Sequence, residues 1–205
     1  PHPAPALRQQ SPRRHLTRVD AILLTHEHKD HLAGLDDIRP IYFMMKEPMR
    51  VYGLQRVLNV VHKDFDYAFK PNPYPGVPAL QLFPVRDDPF TIKGVEIQPI
   101  HVRHLTLPIL GYRMGKFAYI TDGSFIAETE LKKLEGLEVL VINALRIKEH
   151  YSHFNLEQAL SIIRRLQPKR AYLTHISDKM GLYADVAPTL PENVFLGIDE
   201  MTITV

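Results

Sequence analysis

The sequence predicts an α/β fold in which buried strands alternate with amphipathic helices. The continuous apolar run of residues 137–142 is typical of a strand buried on both faces. Residues 156–166 instead place apolar side chains at helical spacing. An apolar run that ends in threonine and histidine occurs twice, at residues 25–26 and 174–175. This repeat favours a fold of two similar halves, each presenting polar residues at one edge of a sheet.

The length of the chain is that of an ordinary globular domain. Its 205 residues suffice for a substantial core, and we predict a single domain over residues 1–205. Residues 1–18, which are rich in proline, arginine and glutamine, are expected to be irregular or incomplete. Residues 194–197 and 201–205 are predicted to close the chain as strands.

The composition excludes several classes of function. The chain contains no cysteine, so disulfides, thiolate ligands and a cysteine nucleophile are excluded. A formal net charge of +2 is too small to argue for nucleic acid by itself. No run approaches the roughly 20 apolar residues that a membrane span requires. We therefore expect no membrane partner and a cytoplasmic protein.

Residues 26–31 form the chemically most distinctive stretch of the chain. They follow the apolar run of residues 19–24, so they fall on the loop at the carboxyl end of a predicted strand. Imidazole is the commonest protein ligand for zinc-like ions, and carboxylate suits harder ions. The pattern therefore indicates a metal site rather than a polar surface turn that happens to be rich in histidine. Its candidate ligands are His26, His28, Asp30 and His31.

The spacing His-x-His-x-Asp-His in this stretch resembles the signature of the metallo-β-lactamase-fold hydrolases. The continuation over residues 34–40 is similar to the PhnP-like phosphodiesterase branch, which is related to tRNase Z. The resemblance implies a four-layer αββα sandwich. Such folds usually have two or more strands before the motif, whereas only 25 residues precede His26 here. We therefore expect an abbreviated or incomplete N-terminal sheet.

Three later segments supply further candidate ligands. A predicted strand over residues 94–100 delivers His101 and His104, and from the residues alone either or both could bind a metal. The resemblance favours His104 and leaves His101 as a nearby polar residue, with the reverse as the alternative. It also matches Asp122 to the family's bridging aspartate, although an Asp-Gly pair is ordinarily a turn, and His175 to its last ligand.

The resemblance thus implies two divalent ions, zinc or manganese, in one centre. They would share a water and lower its pKa enough to give hydroxide near neutral pH. The first ion would be held by His26, His28 and His104, the second by Asp30, His31 and His175, with Asp122 bridging both.

His153 lies just before the predicted helix of residues 156–166, which Asn155 can cap. The backbone N–H groups and the dipole at a helix N-terminus favour an anionic substrate group. In the branch that this chain resembles, a histidine at this position is thought to donate a proton to the leaving oxygen. His153 and the ligand Asp30 are therefore the predicted catalytic residues, with His150 as an alternative or a neighbour of His153.

The resemblance predicts a hydrolase, and a small or cyclic phosphodiester is the first choice of substrate. Acyl hydrolysis of a thioester or lactone is the alternative, and a non-catalytic metal-binding module is a third, less favoured reading. The long exosite arm of tRNase Z is not visible, so nucleic acid is not favoured as a partner, and a homodimer stays open. Four arginines beside the motifs are candidate phosphate contacts: Arg39, Arg103, Arg113 and Arg146.

Overall fold

A computed structural model describes residues 16–71, 74–199 and 201–205. The chain divides into two compact units, Pro1–Asp88 and Pro89–Val205. Of the segment predicted to be irregular, residues 16–18 carry no helix or strand, and residues 1–15 lie outside the described residues. The assignment of residues 1–205 to a single domain stays a prediction.

The first unit contains a sheet of three parallel strands in the order β1-β2-β3. The strands are β1 (Ile22–Leu23), β2 (Met49–Gly53) and β3 (Leu80–Pro84). The helices are α1 (Lys29–Leu32), α2 (Arg39–Met45) and α3 (Gln55–Asp64), with 3-10 turns at Ala33–Ile38 and Asp66–Phe69. The prediction of an abbreviated or incomplete N-terminal sheet concerns residues that lie largely outside the described ones, and it stays a prediction.

The core of the first unit forms because apolar residues recur at the helical period in its main helix and at every second position in its central strand. Helix α3 buries Val57, Leu58 and Val61, which lie on one face at helical spacing. Strand β2 alternates fully buried residues with half-buried ones, as a strand with one packed face does. The buried residues of α3 and β2 belong to a single apolar cluster that also contains Ile22 and Leu35.

The second unit contains an eight-stranded mixed sheet. Its strands are β4 (Phe90–Ile92), β5 (Val95–His104), β6 (Leu107–Met114), β7 (Phe117–Ile120), β8 (Phe125–Ile126), β9 (Val139–Asn143), β10 (Arg170–Thr174) and β11 (Val194–Leu196). Seven follow the order β11-β10-β9-β7-β6-β5-β4, and β8 pairs with β5. The helices are α4 (Glu128–Lys132), α5 (Leu156–Leu166) and α6 (Tyr183–Val186), with 3-10 turns at Asp178–Met180 and Ala187–Thr189.

The pairing directions bring the carboxyl ends of four strands to one edge of this sheet. Strands β7, β9 and β10 are parallel to one another. Strand β5 is antiparallel to β6, which is antiparallel to β7, so β5 runs in the same direction as β7. The loops that follow β5, β7, β9 and β10 therefore meet at the same edge, where α/β proteins usually place their chemistry.

Strand β5 is longer than the sequence predicted. It continues through His101 and ends at His104, because it pairs with β6 along its whole length. Residues three apart in a regular strand point to opposite faces of the sheet. The two histidines therefore do not share a face, and the backbone N–H of His101 donates to Glu130 at 2.8 Å.

Helix α5 is capped as predicted. The Asn155 side chain accepts from the backbone N–H of Gln158 at 2.9 Å, and the Gln158 side chain accepts from the backbone N–H of Asn155 at 3.0 Å. This reciprocal pair satisfies two donors at the start of the helix. The inner face of the helix buries Ala159, Ile163 and Leu166.

The predicted strand at residues 201–205 is wrong, because these residues form no strand. The alternation of apolar and polar residues serves packing instead. Met201 and Ile203 pack against a small apolar cluster on β9 and β10, formed by Val139, Val141 and Tyr172. The alternation of apolar and polar residues therefore indicated which side chains pack against the sheet, and not a hydrogen-bonded strand.

Substituting Asn155 tests the cap. Asn155→Ala removes the side-chain acceptor at the start of α5, and we expect the free energy of unfolding to fall by about 0.5–2 kcal/mol. Chemical denaturation followed by circular dichroism measures the change. The control is Ser161→Ala at an exposed position in the same helix, expected to stay within about 0.5 kcal/mol of the native protein. Equal stability of the two variants would show that the cap does not matter.

Candidate metal centre

The first unit gathers all four of its predicted ligands around the turn that follows β1. His26 is fully buried, and its Nε2 lies 3.0 Å from Nδ1 of His28. The other ring nitrogen, Nδ1 of His26, lies 3.0 Å from the Thr25 hydroxyl. Nε2 of the buried His31 lies 3.2 Å from a carboxylate oxygen of Asp30.

Local structure explains how this turn presents its side chains. The backbone carbonyl of His28 accepts from the N–H groups of His31 and Leu32, at 3.0 and 3.1 Å, and so starts α1. This single turn of helix carries Asp30 and His31. Arg56 of α3 forms an ion pair with Glu27, which ties the turn to a packed helix. The short helix is therefore anchored at its start.

The second unit gathers its predicted residues at the edge where four strands end. Donor atoms of His104, Asp122 and His153 all lie within 4.8 Å of one another. Nδ1 of His175 lies 3.1 Å from Oδ1 of Asp122, whereas Nε2 of His153 lies 3.7 Å from Oδ2. The two carboxylate oxygens of Asp122 thus face different imidazoles.

Two of these residues have a backbone conformation that L-amino acids rarely adopt. Asp122 has φ of 59° and His175 has φ of 54°, both in the left-handed region. Such residues cost roughly 1–3 kcal/mol each and persist only where the surroundings hold them. The Thr121 hydroxyl donates to Oδ1 of Asp122 at 2.8 Å. Two of the six non-glycine residues with positive φ in the described part of the chain are thus predicted ligands.

Hydrogen bonding assigns the tautomer of His104. Its Nδ1 lies 2.8 Å from the backbone carbonyl of Asp122, which can only accept, so Nδ1 donates. The neutral ring then carries a lone pair on Nε2, which is the form that binds a metal. His101, which points to the other face of β5, is not part of this group.

Asn143 is a buried site residue that sequence reasoning missed. It is fully buried at the end of β9, and its amide makes two hydrogen bonds to Gly123, accepting from N–H at 2.7 Å and donating to C=O at 3.0 Å. The N–H of Phe154 donates to the same carbonyl at 2.7 Å. A Cβ at Gly123 would lie 2.8 Å from the Phe154 ring and 2.9 Å from Val102. The signal available in the sequence was a polar amide ending an otherwise apolar strand.

The loops after β9 and β10 are also hydrogen-bonded to each other. The N–H of Ala144 donates to the carbonyl of Thr174 at 3.0 Å. Both the N–H and the hydroxyl of Ser177 donate to the carbonyl of Leu145 at 2.9 Å. These contacts fix the segment that carries His175 against the segment that leads to His153.

His153 is held among other imidazoles. Its ring stacks on His175, with centroids 5.0 Å apart, and meets the ring of His104 edge-on at 4.6 Å. The neighbouring His150 contacts it with centroids 5.2 Å apart. Burial, followed by the charge of His153, lowers the pKa of His150. Both effects favour the neutral form of His150.

The donor atoms fit a borderline divalent ion in both units. Ligands bound about 2.0–2.1 Å from a tetrahedral zinc lie roughly 3.3 Å from each other. The closest donor pairs here, His26 with His28 and His175 with Asp122, lie 3.0 and 3.1 Å apart. Every donor is a nitrogen or an oxygen, a set that suits zinc or manganese.

The four candidate phosphate-binding arginines all contact groups of the chain itself. Arg39 donates twice to a carboxylate one helical turn away. Arg113 donates to three backbone carbonyls and Arg146 to two. Arg103 lies 5.8 Å from the centroid of an aromatic ring. These contacts stabilise local structure, and phosphate binding by these side chains stays a prediction.

Comparison with known proteins identifies the family. The sequence profile described as the beta-lactamase superfamily domain matches residues 2–176. The chain belongs to this family. A crystal structure of a diphosphatase from the PhnP family is 30% identical, with a TM-score of 0.91. The match covers 100% of this chain and 78% of that one. The predicted metallo-β-lactamase-type α/β fold is thus confirmed.

Other relatives are more distant or much longer. Human tRNase Z, short form, is 18% identical with a TM-score of 0.72, covering 99% of this chain and 86% of that one. Zinc-bound PqqB from Methylobacterium extorquens is 16% identical with a TM-score of 0.74, covering 100% and 82%. Both show the fold alone. An octanoyltransferase of Porphyromonas gingivalis (strain ATCC BAA-308 / W83) is 39% identical over 198 residues, which is 96% of this chain and 40% of that protein.

None of the helices in the described ranges 16–71, 74–199 and 201–205 has the length and apolar character that crossing a bilayer requires.

Substituting Asn143 tests whether it holds the metal-binding loop. Asn143→Ala removes both hydrogen bonds to Gly123, and we expect zinc affinity to fall about 10–100-fold, as when a partner of a ligand is lost. Competition with a chromogenic chelator measures the affinity. Asn193→Ala is the control, because Asn193 donates to the carbonyl of Pro168 and contacts none of the predicted ligands. Equal zinc affinity of the two folded variants would refute a role for Asn143.

Proposed function

We propose that this chain is a dinuclear metal-dependent phosphodiesterase that acts on a small or cyclic phosphodiester. The observation that carries the proposal is the position of His153, whose Nε2 faces a carboxylate oxygen of Asp122 at 3.7 Å. A proton donor beside predicted metal ligands suits a reaction in which a poor leaving group, an alkoxide, must be protonated. The 30% identity to a PhnP-family protein supports phosphorus chemistry.

The proposed ligand set rests on the family pattern together with the donor groups found in each unit. We assign His26, His28 and His104 to one ion, Asp30, His31 and His175 to a second ion, and Asp122 to both. Zinc and manganese both suit these donors. When bound, the ions would supply hydroxide near neutral pH and neutralise negative charge that develops on the phosphorus centre.

The chain's own residues would orient the substrate and move its proton. His153, in its protonated form, would give the proton on Nε2 to the leaving oxygen. The N-terminus of α5 begins three residues later, and its backbone N–H groups and dipole favour the negative charge of a phosphodiester. Asp30 has an exposed side chain, so its carboxylate could accept a hydrogen bond from the attacking water.

Acyl hydrolysis is the second candidate, because one relative is named an octanoyltransferase. This chain spans only about 40% of that protein's length, so the name describes a much larger molecule. The absence of cysteine excludes a thioester between substrate and this chain. Acyl transfer to water by the metal centre stays compatible with the ligand set.

For the phosphodiesterase we further propose a small-molecule partner, a cytoplasmic location and a homodimer.

Substrate and metal dependence can be tested together. Metal-stripped protein is assayed before and after Mn²⁺ or Zn²⁺ is added, with a cyclic alkyl phosphodiester, bis(p-nitrophenyl) phosphate and an octanoyl thioester. We expect metal-dependent cleavage of both diesters. His153→Ala should lower turnover of the cyclic diester about 10²–10⁴-fold, the usual contribution of a general acid, and should affect the p-nitrophenyl diester far less.

The control for this experiment is His62→Ala, because His62 lies on α3 and stacks on Phe69 with centroids 4.6 Å apart. It should leave both diester activities unchanged. Cleavage of the thioester alone, with no effect of His153→Ala, would move the chain to the acyl hydrolases. Equal losses on both diesters would contradict proton donation by His153.

A further inference from the structure

Two ion pairs join the turn formed by residues 26–31 to helix α3. Glu27, which lies between the first two predicted ligands, pairs with Arg56 near the start of the helix. Lys29, which lies between the second and third predicted ligands, pairs with Asp64 at the end of the helix. The two residues that separate these ligands in the motif are thus both held by one packed helix.

The pairing of β1 with β2 explains why these groups meet. The two strands are parallel, with Leu23 opposite Tyr52. The segments that follow them therefore leave the sheet at the same edge. Glu27 lies four residues after Leu23, and Arg56 lies four residues after Tyr52. The two side chains are consequently close enough to form their ion pair.

The direction of the side chains separates the ion pairs from the predicted ligands. His28 has an extended backbone, with φ of −62° and ψ of 147°, and successive side chains of an extended segment point to opposite sides. Glu27 and Lys29 contact α3. The rings of His26 and His28 instead approach each other, with two of their nitrogens 3.0 Å apart. One side of the turn contacts the helix, and the other carries the candidate ligands.

The two ion pairs differ in burial and therefore in their expected effect. The side chains of Glu27 and Arg56 are 24% and 33% exposed, and one carboxylate oxygen of Glu27 is buried. Removing one partner from such a pair leaves the other charge poorly solvated. The side chain of Lys29 is 72% exposed, and ion pairs at such positions contribute little. Most of the effect is thus expected from Glu27 and Arg56.

We propose that Glu27 and Arg56 are positioning residues whose ion pair orients the turn so that His26 and His28 present nitrogens to the same metal ion. Helix α3 can hold the turn because its own apolar face is packed in the core of the first unit. This inference rests on the proposed function, in which the two histidines share one ion. Neither Glu27 nor Arg56 is assigned any contact with metal or substrate.

Charge reversal distinguishes positioning from a direct electrostatic effect on the metal. Glu27→Arg adds positive charge beside the site and Arg56→Glu adds negative charge, so electrostatics alone would weaken zinc binding in the first variant and strengthen it in the second. Positioning instead predicts that each variant loses zinc affinity about tenfold, because like charges then face each other. The double variant restores an ion pair and should return zinc affinity to within about threefold of native. Competition with a chromogenic chelator measures the affinity.

Cobalt substitution reports the geometry of the ligands as well as their affinity. Arg56→Met keeps the apolar stem and removes the charge, so we expect the Co²⁺ absorption bands to change in position and intensity. Arg56→Lys keeps the positive charge and should retain the native bands. Lys70→Met is the control, because Lys70 pairs with Asp66 at 3.3 Å in the same unit and that pair includes none of the predicted ligands. It should change neither the bands nor the zinc affinity.

The outcomes separate this inference from the proposed function. Zinc affinity that rises in Arg56→Glu, or a double variant no better than the single ones, would overturn positioning by this ion pair and leave the proposed function intact. The expected pattern of affinities in a protein that cleaves no phosphodiester would support positioning and refute the proposed function. A native chain that binds neither zinc nor cobalt would refute both. Should a charge-reversed variant fail to fold by circular dichroism, Arg56→Met and Arg56→Lys carry the same test, with loss and recovery of zinc affinity expected.

Discussion

The geometry of the candidate metal site in the second unit depends on the hydrogen bonds made by the backbone of Gly123. The buried amide of Asn143 engages both its N–H and its C=O, and Phe154 donates to the same carbonyl. The preceding residue, Asp122, is thereby held in a left-handed conformation that is costly for a non-glycine residue. The following loop is held so that His153 faces its carboxylate. A side chain at Gly123 would collide with this arrangement.

The direction of the strands then decides which side chains can cooperate. His104, Asp122 and His175 come from the ends of β5, β7 and β10, which run the same way through one sheet. The donors lie at or just after the ends of paired strands, and the hydrogen-bonded loops that follow fix the orientation of their side chains. The first unit follows the same logic on a smaller scale, with a buried strand, a turn and a single helical turn that together present four donors. In both units the candidate ligands thus lie where a strand ends.

The sequence drew attention to the candidate donors because they stand in dense or repeated patterns after apolar runs. It predicted the cap of α5 for the same reason, since capping depends on neighbours in the chain. It could not predict the role of Asn143, because its hydrogen-bonding partner, Gly123, lies on another loop. Strand β5 ran past its expected end because its pairing with β6 outweighed the local polarity of His101 and His104. Apolar alternation at residues 201–205 reported packing rather than pairing.

The central claim is that the chain binds two divalent ions through these donors, and metal stoichiometry tests it most directly. Stripped protein is titrated with Zn²⁺ or Mn²⁺, and bound metal is counted by inductively coupled plasma mass spectrometry, with Asp122→Asn alongside. The account predicts two ions per native chain and fewer than two in the variant, because Asp122 is proposed to bridge both. A native chain that binds one ion or none would contradict the account, as would a variant that keeps both ions with native affinity.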